Sequence, residues 1–242
     1  FLDYIAAQRL EPEVIESIVS GMAHSCRNAG CALIGGELAE MPGVYEKGEV
    51  DVAGTIVGVV DQDELLPRLD AMSAGDVLIA LPSSGLHTNG YSLARKVCFE
   101  VAGLGTTDEL PGTGQTVAEA LLAIHRCYLT PLMPLVKAKK LVAMAHITGG
   151  GLTDNLPRVL HEHLDALIET GSWEIPPLFR FLMDKAQMPL EDARRSFNLG
   201  VGMVAIARRA EADAVLASLK ASGEAAWVIG ELVAGKGEVR YR

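Results

Sequence analysis

The stretch Ser83–Leu93, SSGLHTNGYSL, limits the fold more than any other part of the chain, because it joins two patterns that cannot belong to one element. Before it, the run from Asp76 to Leu81 is short and apolar and is entered from Ala74-Gly75, the pattern of a strand buried on both faces. After it, Leu93, Val97 and Val101 form one stripe of a helix that Ser92 can cap. A buried strand, a glycine turn and a helix start make a template for holding an anion, since backbone N–H groups converge on one spot. His87 and Asn89 lie in that turn and can donate, accept or transfer protons, which an ordinary solvent loop does not require.

A chain of 242 residues suffices for one large domain, or for one domain and part of another. Hydrophobic residues make up 49% and aromatics 5%, so Ala, Val, Leu and Ile must fill the interior. The net charge of -10 argues against a nucleic-acid partner, which needs a basic face, so an anionic substrate must be gathered locally. No apolar run has the length of a membrane span and no signal-peptide pattern opens the chain, from which a cytoplasmic protein is expected. Cys26, Cys31, Cys98 and Cys127 lack the close spacings of zinc or redox sites and are expected to be reduced, mostly buried thiols.

Along the chain, Phe1–Ile5 reads as the end of a strand. Pro12 opens an amphipathic helix that Gly30 stops after about Ala29. Cys31–Ile34 is expected as a short strand ending in the turn Gly35-Gly36-Glu37, and Val50–Val60 as a long strand whose Gly54 and Gly58 signal close backbone approach. Asp61–Glu64 reads as a solvated acidic turn, with the domain boundary just beyond: residues 1–66 before it, 67–242 after it. Thr106–Gly114 is read as a loop, Val117–Arg126 and Leu132–Lys139 as helices, and Leu141–Ala145 as a strand running into His146-Ile147-Thr148-Gly149-Gly150-Gly151 and a further helix. The rest alternates: strand Ala166–Glu169, helices Leu178–Ala186 and Leu190–Phe197, strand Met203–Ala207, helix Ala210–Ser222, and strands Trp227–Gly230 and Glu238–Tyr241. The mixture lacks strict βα alternation and predicts an α+β architecture, mixed sheets with helices packed on them.

Three glycine turns carry the candidate chemistry: Gly35-Gly36-Glu37, Ser84–Gly90 and Thr148–Gly151. None has the Walker or dinucleotide spacing, and any one of them alone can be just a tight turn. Together they offer a carboxylate, a histidine and two anion-ready helix starts, the parts that phosphoryl transfer needs; Mg2+ takes oxygen ligands, and Glu37 can supply one. His87 is either a proton donor or acceptor near neutral pH or a satisfied turn residue. His24 and His125 fall in expected helices, and His161-Glu162-His163 in a polar turn, so none of these is singled out.

Five ordered blocks carry a resemblance: FLDY from Phe1, GCALIGGELAEMPG from Gly30, SSGLHTNGYSL from Ser83, HITGGGLTDNLPRVL from His146 and FNLGVGM from Phe197. With them the chain resembles the phosphoribosylformylglycinamidine cyclo-ligase family, the aminoimidazole ribonucleotide synthetases. The family usually has Thr where this chain has Leu38, which puts one hydroxyl contact beside Glu37 in doubt. It also carries a longer N-terminal segment with further ATP- and metal-binding motifs. The resemblance therefore implies a two-domain fold of that type with the first domain incomplete: residues 1–66 the end of an ATP-binding, dimer-forming domain, 67–242 a whole second domain. It also implies that the chain is not catalytically competent by itself.

The implied activity is that of a C–N bond-forming ligase of purine biosynthesis using ATP and Mg2+. ATP activates the formyl amide oxygen of formylglycinamidine ribonucleotide as a phosphate ester, the neighbouring nitrogen attacks, and the imidazole ring closes as phosphate leaves. On the same resemblance Asp3, Gly35, Gly36 and Glu37 lie on the nucleotide side, with Glu37 also the Mg2+ ligand and a catalytic residue beside His87. Ser84, Gly85, His87, Asn89, Gly90, His146, Thr148, Gly149, Gly150, Gly151 and Asn198 fall to the substrate. A homodimer is implied, with strand Val50–Val60 at its interface. Formylglycinamidine synthetase, thiamine phosphate kinase and selenophosphate synthetase share the fold and are the alternatives, together with a non-catalytic fragment of it.

Overall fold

The computed structural model describes residues 1–242, which divide into two compact units, Phe1–Asp63 and Glu64–Arg242. In the first unit, β1 (Leu2–Ala7) is the middle strand between β2 (Gly35–Glu40), parallel to it, and β3 (Val50–Thr55), antiparallel. Helix α1 (Pro12–Ala29) links β1 to β2 and has the expected bounds: Pro12 stands in its first turn, and Gly30, at φ 65°, closes it with its N–H on the carbonyls of Arg27 and Cys26.

Two expectations fail in this unit. Cys31–Ile34 is not a strand, and the segment read as a turn, Gly35-Gly36-Glu37, opens β2. Gly36 is paired with Asp3, and a Cβ on it would lie 2.2 Å from the Asp3 carboxylate, so the glycine serves close packing inside a sheet. The strand expected to reach Val60 stops at Thr55, opposite Leu2 where β1 itself begins, and apolar Ile56, Val57 and Val59 stay 69%, 73% and 98% exposed.

The second unit is built on β4 (Val77–Pro82). After it come α2 (Tyr91–Arg95), continued by a wider π-helical turn to Val101, a small hairpin of β5 (Glu109–Leu110) and β6 (Gln115–Thr116), α3 (Val117–Leu121), α4 (Leu129–Lys137) and β7 (Ala143–His146). Then follow α5 (Gly151–Asn155), β8 (Leu164–Ile168), α6 (Pro177–Ala186), α7 (Leu190–Ser196), β9 (Val201–Ala207), α8 (Ala212–Ala221), β10 (Trp227–Ala234) and β11 (Val239–Tyr241). The sheet order is β11-β8-β10-β4-β9-β7, antiparallel throughout except for the parallel pair β11 and β8. This is the mixed-sheet α+β architecture expected from the sequence.

Alternation along β4 explains its run of apolar residues. Leu78 and Ala80 enter one core layer with Leu152, Leu156 and Ile229, while Val77, Ile79 and Leu81 enter the other with Leu132 and Leu135 of α4 and Val215 and Leu219 of α8. A separate cluster, with Phe179, Leu182 and Phe197 at its centre, packs α2, α3, α6 and α7. Two local expectations give way to these contacts. The helix after the His87 turn starts from Gly90 at φ 80°, against whose α-carbon the Phe197 ring packs, and Ser92 makes no cap. The helix expected to run to Arg126 ends at Leu121, because residues 122–128 are tied elsewhere: Ser84 Oγ donates to the Ile124 carbonyl, Tyr128 Oη donates to the Pro82 carbonyl, and Arg126 pairs with Glu224. Thr106–Gly114 is not a plain loop, since Glu109-Leu110 in its middle form one strand of the hairpin. All four cysteines are free, but only Cys26 and Cys98 are buried.

Gly230 lies at an irregularity in β10, and a Cβ there would stand 2.0 Å from the Leu167 carbonyl oxygen of β8. Gly230→Ala is therefore expected to lower unfolding stability by about 2 kcal/mol or more. Gly21→Ala, on α1 with open space around it, is expected to be neutral or to stabilise by up to about 1 kcal/mol. Urea unfolding of the two variants beside the parent checks the pair.

Candidate functional site

The turn that follows β4 is held by a single buried amide. Asn198, 4% exposed, accepts from Ser83 Oγ at 2.8 Å and from the Gly200 N–H at 2.9 Å, and its Nδ2 donates to the Gly85 carbonyl at 2.8 Å. The turn is thereby fastened to the segment leading into β9, and the Asn198 side chain is committed to this frame. Within the turn His87 is 3% exposed and adopts φ 58°, a left-handed conformation that a residue with a Cβ takes only when its surroundings impose it.

His87 is one of three converging imidazoles. His125 stacks on it with ring centroids 3.9 Å apart, and His146, at the end of β7, lies 6.3 Å from it and 5.1 Å from His125. The Ser84 N–H donates to His87 Nε2 at 3.1 Å, so the neutral ring carries its proton on Nδ1, which has no protein partner. Burial, reinforced by His125, His146 and Arg126, pushes the His87 pKa down to about 4. A ring of this kind is neutral across physiological pH. Of the two roles open to it in the sequence, it suits hydrogen bonding better than proton exchange near neutrality. Burial, with His125 beside it, lowers the His146 pKa as well.

The second glycine turn is organised by Asn155, which is 4% exposed. Its Nδ2 donates to the Gly149 and Gly151 carbonyls at 3.2 and 2.8 Å, and its Oδ1 accepts from Thr148 Oγ1 at 3.0 Å. Gly151 has φ 58°, and a Cβ there would fall 1.9 Å from the Arg194 carbonyl oxygen. Two of the turn's three amides serve the frame, Gly150 N–H bonding the Arg195 carbonyl and Gly151 N–H the Thr148 carbonyl. Only the exposed Gly149 N–H is left for a ligand. The two turns meet at Asn89, whose Oδ1 lies 3.4 Å from where a Gly149 Cβ would be. Beside Ser83, Ser84 and Gly85 a cleft of about 560 Å³ opens, lined also by Thr113, Gln115 and Phe179.

In the first unit Asp3, Gly35, Gly36 and Glu37 lie together at the paired starts of β1 and β2 and line one shallow depression. Asp3 pairs with Gly36 and Tyr4 with Glu37, so the two carboxylates occupy adjacent rows and project from opposite faces of the sheet. Glu37 is exposed, and its Oε1 accepts from the Leu38 N–H at 3.1 Å, which leaves one carboxylate oxygen for a ligand. A single carboxylate fits a Mg2+ ion that takes its other oxygens from phosphate and water.

His125 and Asn155 belong to this assembly although no local pattern marks them. His125 falls inside the helix expected to reach Arg126, but the helix ends at Leu121, four residues before it, and only the tertiary ties of residues 122–128 bring it onto His87. His24 sits on α1 hydrogen-bonded to Asn28, and His161 and His163 are remote from the trio, within a turn whose Glu162 pairs with His163.

The depressed His87 pKa has a sign in stability. The unfolded chain takes up this proton near pH 6.5 and the folded chain only near pH 4, so the term is fully favourable above pH 6.5 and is lost as pH falls between these values. The loss is expected to reach about 3 kcal/mol. In urea melts at pH 7.5 and 4.5 in chelator-treated buffer, His87→Asn should show a visibly smaller acid loss than the parent. An equal loss in both would contradict the assignment.

Sequence comparison agrees with the architecture. The pattern of the family described as AIR synthase related protein, N-terminal domain, matches residues 1–60, and that of the C-terminal domain of the same family matches residues 73–242. A phosphoribosylformylglycinamidine cyclo-ligase of Alkaliphilus metalliredigens is 43% identical over 239 residues, 99% of this chain and 69% of that protein. Among solved structures, a thiamine-monophosphate kinase of Stenotrophomonas maltophilia superposes with a TM-score of 0.66 at 16% identity, over 99% of this chain and 71% of its own. The hydrogenase maturation protein HypE in complex with ATP gives 0.62 at 15%, over 99% and 68%; at such identities the likeness is one of fold. Two family patterns that together cover nearly the whole chain, and a relative so similar along its length, place it beyond fold likeness: the chain belongs to the phosphoribosylformylglycinamidine cyclo-ligase family of the AIR synthase-related proteins.

Proposed function

We propose that this protein closes the imidazole ring of aminoimidazole ribonucleotide from formylglycinamidine ribonucleotide, at the expense of ATP, as a cytoplasmic homodimer. The observation that carries the reading is the meeting of the two glycine turns, with His87, His146, Asn89 and the Gly149 N–H gathered on one side of the second unit. The similar cyclo-ligase supports the reaction, and the ATP complex of HypE supports a nucleotide on this fold.

Ring closure needs a poor leaving oxygen made into a good one and the charge of the transferred phosphoryl group balanced. His87, neutral and carrying its proton on Nδ1, is suited to donate a hydrogen bond to the formyl or amidine end without itself ionising. Asn89 serves that same end, and Ser84, Gly85 and Gly90 shape the backbone there. The Gly149 N–H and the helix start after Gly90 offer donors to the ribose phosphate. Thr148, Gly150 and Gly151 hold the second turn in shape, and Asn198 acts by positioning Gly85 rather than by contact. Asp3, Gly35 and Gly36 form the nucleotide side of the first unit, and Glu37 holds Mg2+, which when bound neutralises phosphate charge. Loss of a buried hydrogen-bond donor to a developing charge costs about 10²-fold or more in turnover. His87→Ala and Asn89→Ala in the full-length enzyme are each expected to lower kcat by about that factor, measured as aminoimidazole ribonucleotide formation; unchanged turnover in His87→Ala would remove histidine from the mechanism.

Dimerisation is supported by the first unit's apolar surface. Leu38, Val52, Ile56 and Val57 are 47%, 45%, 69% and 73% exposed, and only Ile5, Ala6, Ala7 and Cys26 of its hydrophobic residues are buried, too few to hold such a unit together alone. Sedimentation of the full-length protein at micromolar concentration is expected to give a dimer and Val52→Asp to shift it toward monomer. A parent protein that sediments as a monomer refutes this part.

A further inference from the structure

His125 and His146 form a pair that no step of the ring closure uses together. His125 Nδ1 is 3.0 Å from the Arg126 carbonyl, an acceptor only, so Nδ1 carries the proton and Nε2 presents a bare lone pair. An imidazole oriented by a backbone carbonyl through its far nitrogen is in the state in which histidine binds metal. His146 Nε2 lies 3.2 Å from His125 Nε2, and the two rings are 66° apart in plane with centroids separated by 5.1 Å. At metal–nitrogen distances of about 2.0–2.1 Å, neighbouring corners of a tetrahedron are about 3.3–3.4 Å apart. The pair thus already has the spacing of one edge of a zinc coordination shell.

A third nitrogen borders the same space. Ring nitrogens of His87, His125 and His146 all lie within 4.8 Å of one another, and His87 is buried with its Nδ1 unpartnered. Its stacking on His125 and the Ser84 N–H on its Nε2 keep it from ligating in this arrangement. The ion must therefore take His125 and His146 from the protein and fill its remaining positions with water. Access is open, since His146 is exposed and His125 half-buried. His125 itself is fixed through Arg126, whose guanidinium is paired with Glu224 beyond α8.

We propose that His125 Nε2 and His146 Nε2 bind a borderline transition-metal dication such as Zn2+, Ni2+ or Co2+, at a site distinct from any Mg2+ site. Imidazole donors select these ions over Mg2+, which requires oxygen. Binding displaces the Nε2–H···Nε2 hydrogen bond between the two rings, and His146 moves its proton from Nε2 to Nδ1 through solvent, so no net proton is released.

The test is a Zn2+ titration of the tag-free, chelator-treated full-length protein, followed by the ring nitrogen and carbon-bound proton resonances of its histidines. The expected result is a saturable shift at about one ion per chain, confined to His125 and His146 with smaller changes at His87. His24, His161 and His163 should not move, nor should any ring on addition of Mg2+. His125→Ala and His146→Ala should each abolish saturable binding, and the double variant His161→Ala/His163→Ala should retain it. The proposal is overturned by a parent protein whose His125 and His146 nitrogens show no saturable shift, or by binding that survives both single variants or vanishes in the double one. The resonances of the parent decide the matter even where a variant folds poorly, and none of these readouts depends on turnover.

Discussion

The three hydrogen bonds of the Asn198 amide fix the geometry on which the rest of the site depends. They tie Ser83 and Gly85, at the end of one central strand, to Gly200 at the start of its neighbour, in a place that solvent does not reach. Removing a buried amide of this kind leaves several partners unsatisfied at once, each costing about 1–3 kcal/mol. With that frame in place the backbone can hold His87 in a left-handed conformation, and the Ser84 N–H can choose its tautomer. The electrostatic character of the histidine thus follows from a residue more than one hundred positions away in sequence.

Asn155 does the same for the other turn, and the parallel shows what the glycines are for. Gly90, Gly151 and Gly202 stand where the Phe197 ring, the Arg194 carbonyl and the Tyr128 hydroxyl come against the backbone. They are permissive positions that let two turns and a strand approach, more than a row of amides awaiting phosphate. The loop of residues 122–128 is drawn into the same assembly by its ties to Ser84, Pro82 and Glu224, and so delivers a third imidazole to the first two. Burial and the neighbouring imidazoles favour the neutral forms of His87 and His146, because a positive charge on either would be desolvated. Neutral imidazoles are hydrogen-bonding groups and metal ligands, and that links the two roles assigned to this cluster.

Much was legible from local pattern alone. Helix α1 announced itself by Pro12, its apolar spacing and Gly30, and β4 by an unbroken apolar run, because both signals arise within a few residues. The ordered motifs around Glu37, His87 and Gly149–Gly151 carried the family. The failures share one cause. Gly35-Gly36 reads as a turn until β1 is laid beside it, Ser92 reads as a cap until Phe197 closes on Gly90, and His125 reads as helical until its segment is pulled off by three distant partners. In each case a contact remote in sequence outweighed a local preference of about a kcal/mol or less.

The sequence by itself determined most of the element types and the family, since these reside in composition, spacing and short motifs. Only the tertiary structure decided that Asp3 and Glu37 face opposite sides of a sheet, that Asn198 and Asn155 are committed to the frame, and that His125 completes the histidine cluster. Those facts depend on register, burial and distance between segments far apart along the chain, and no local pattern encodes them.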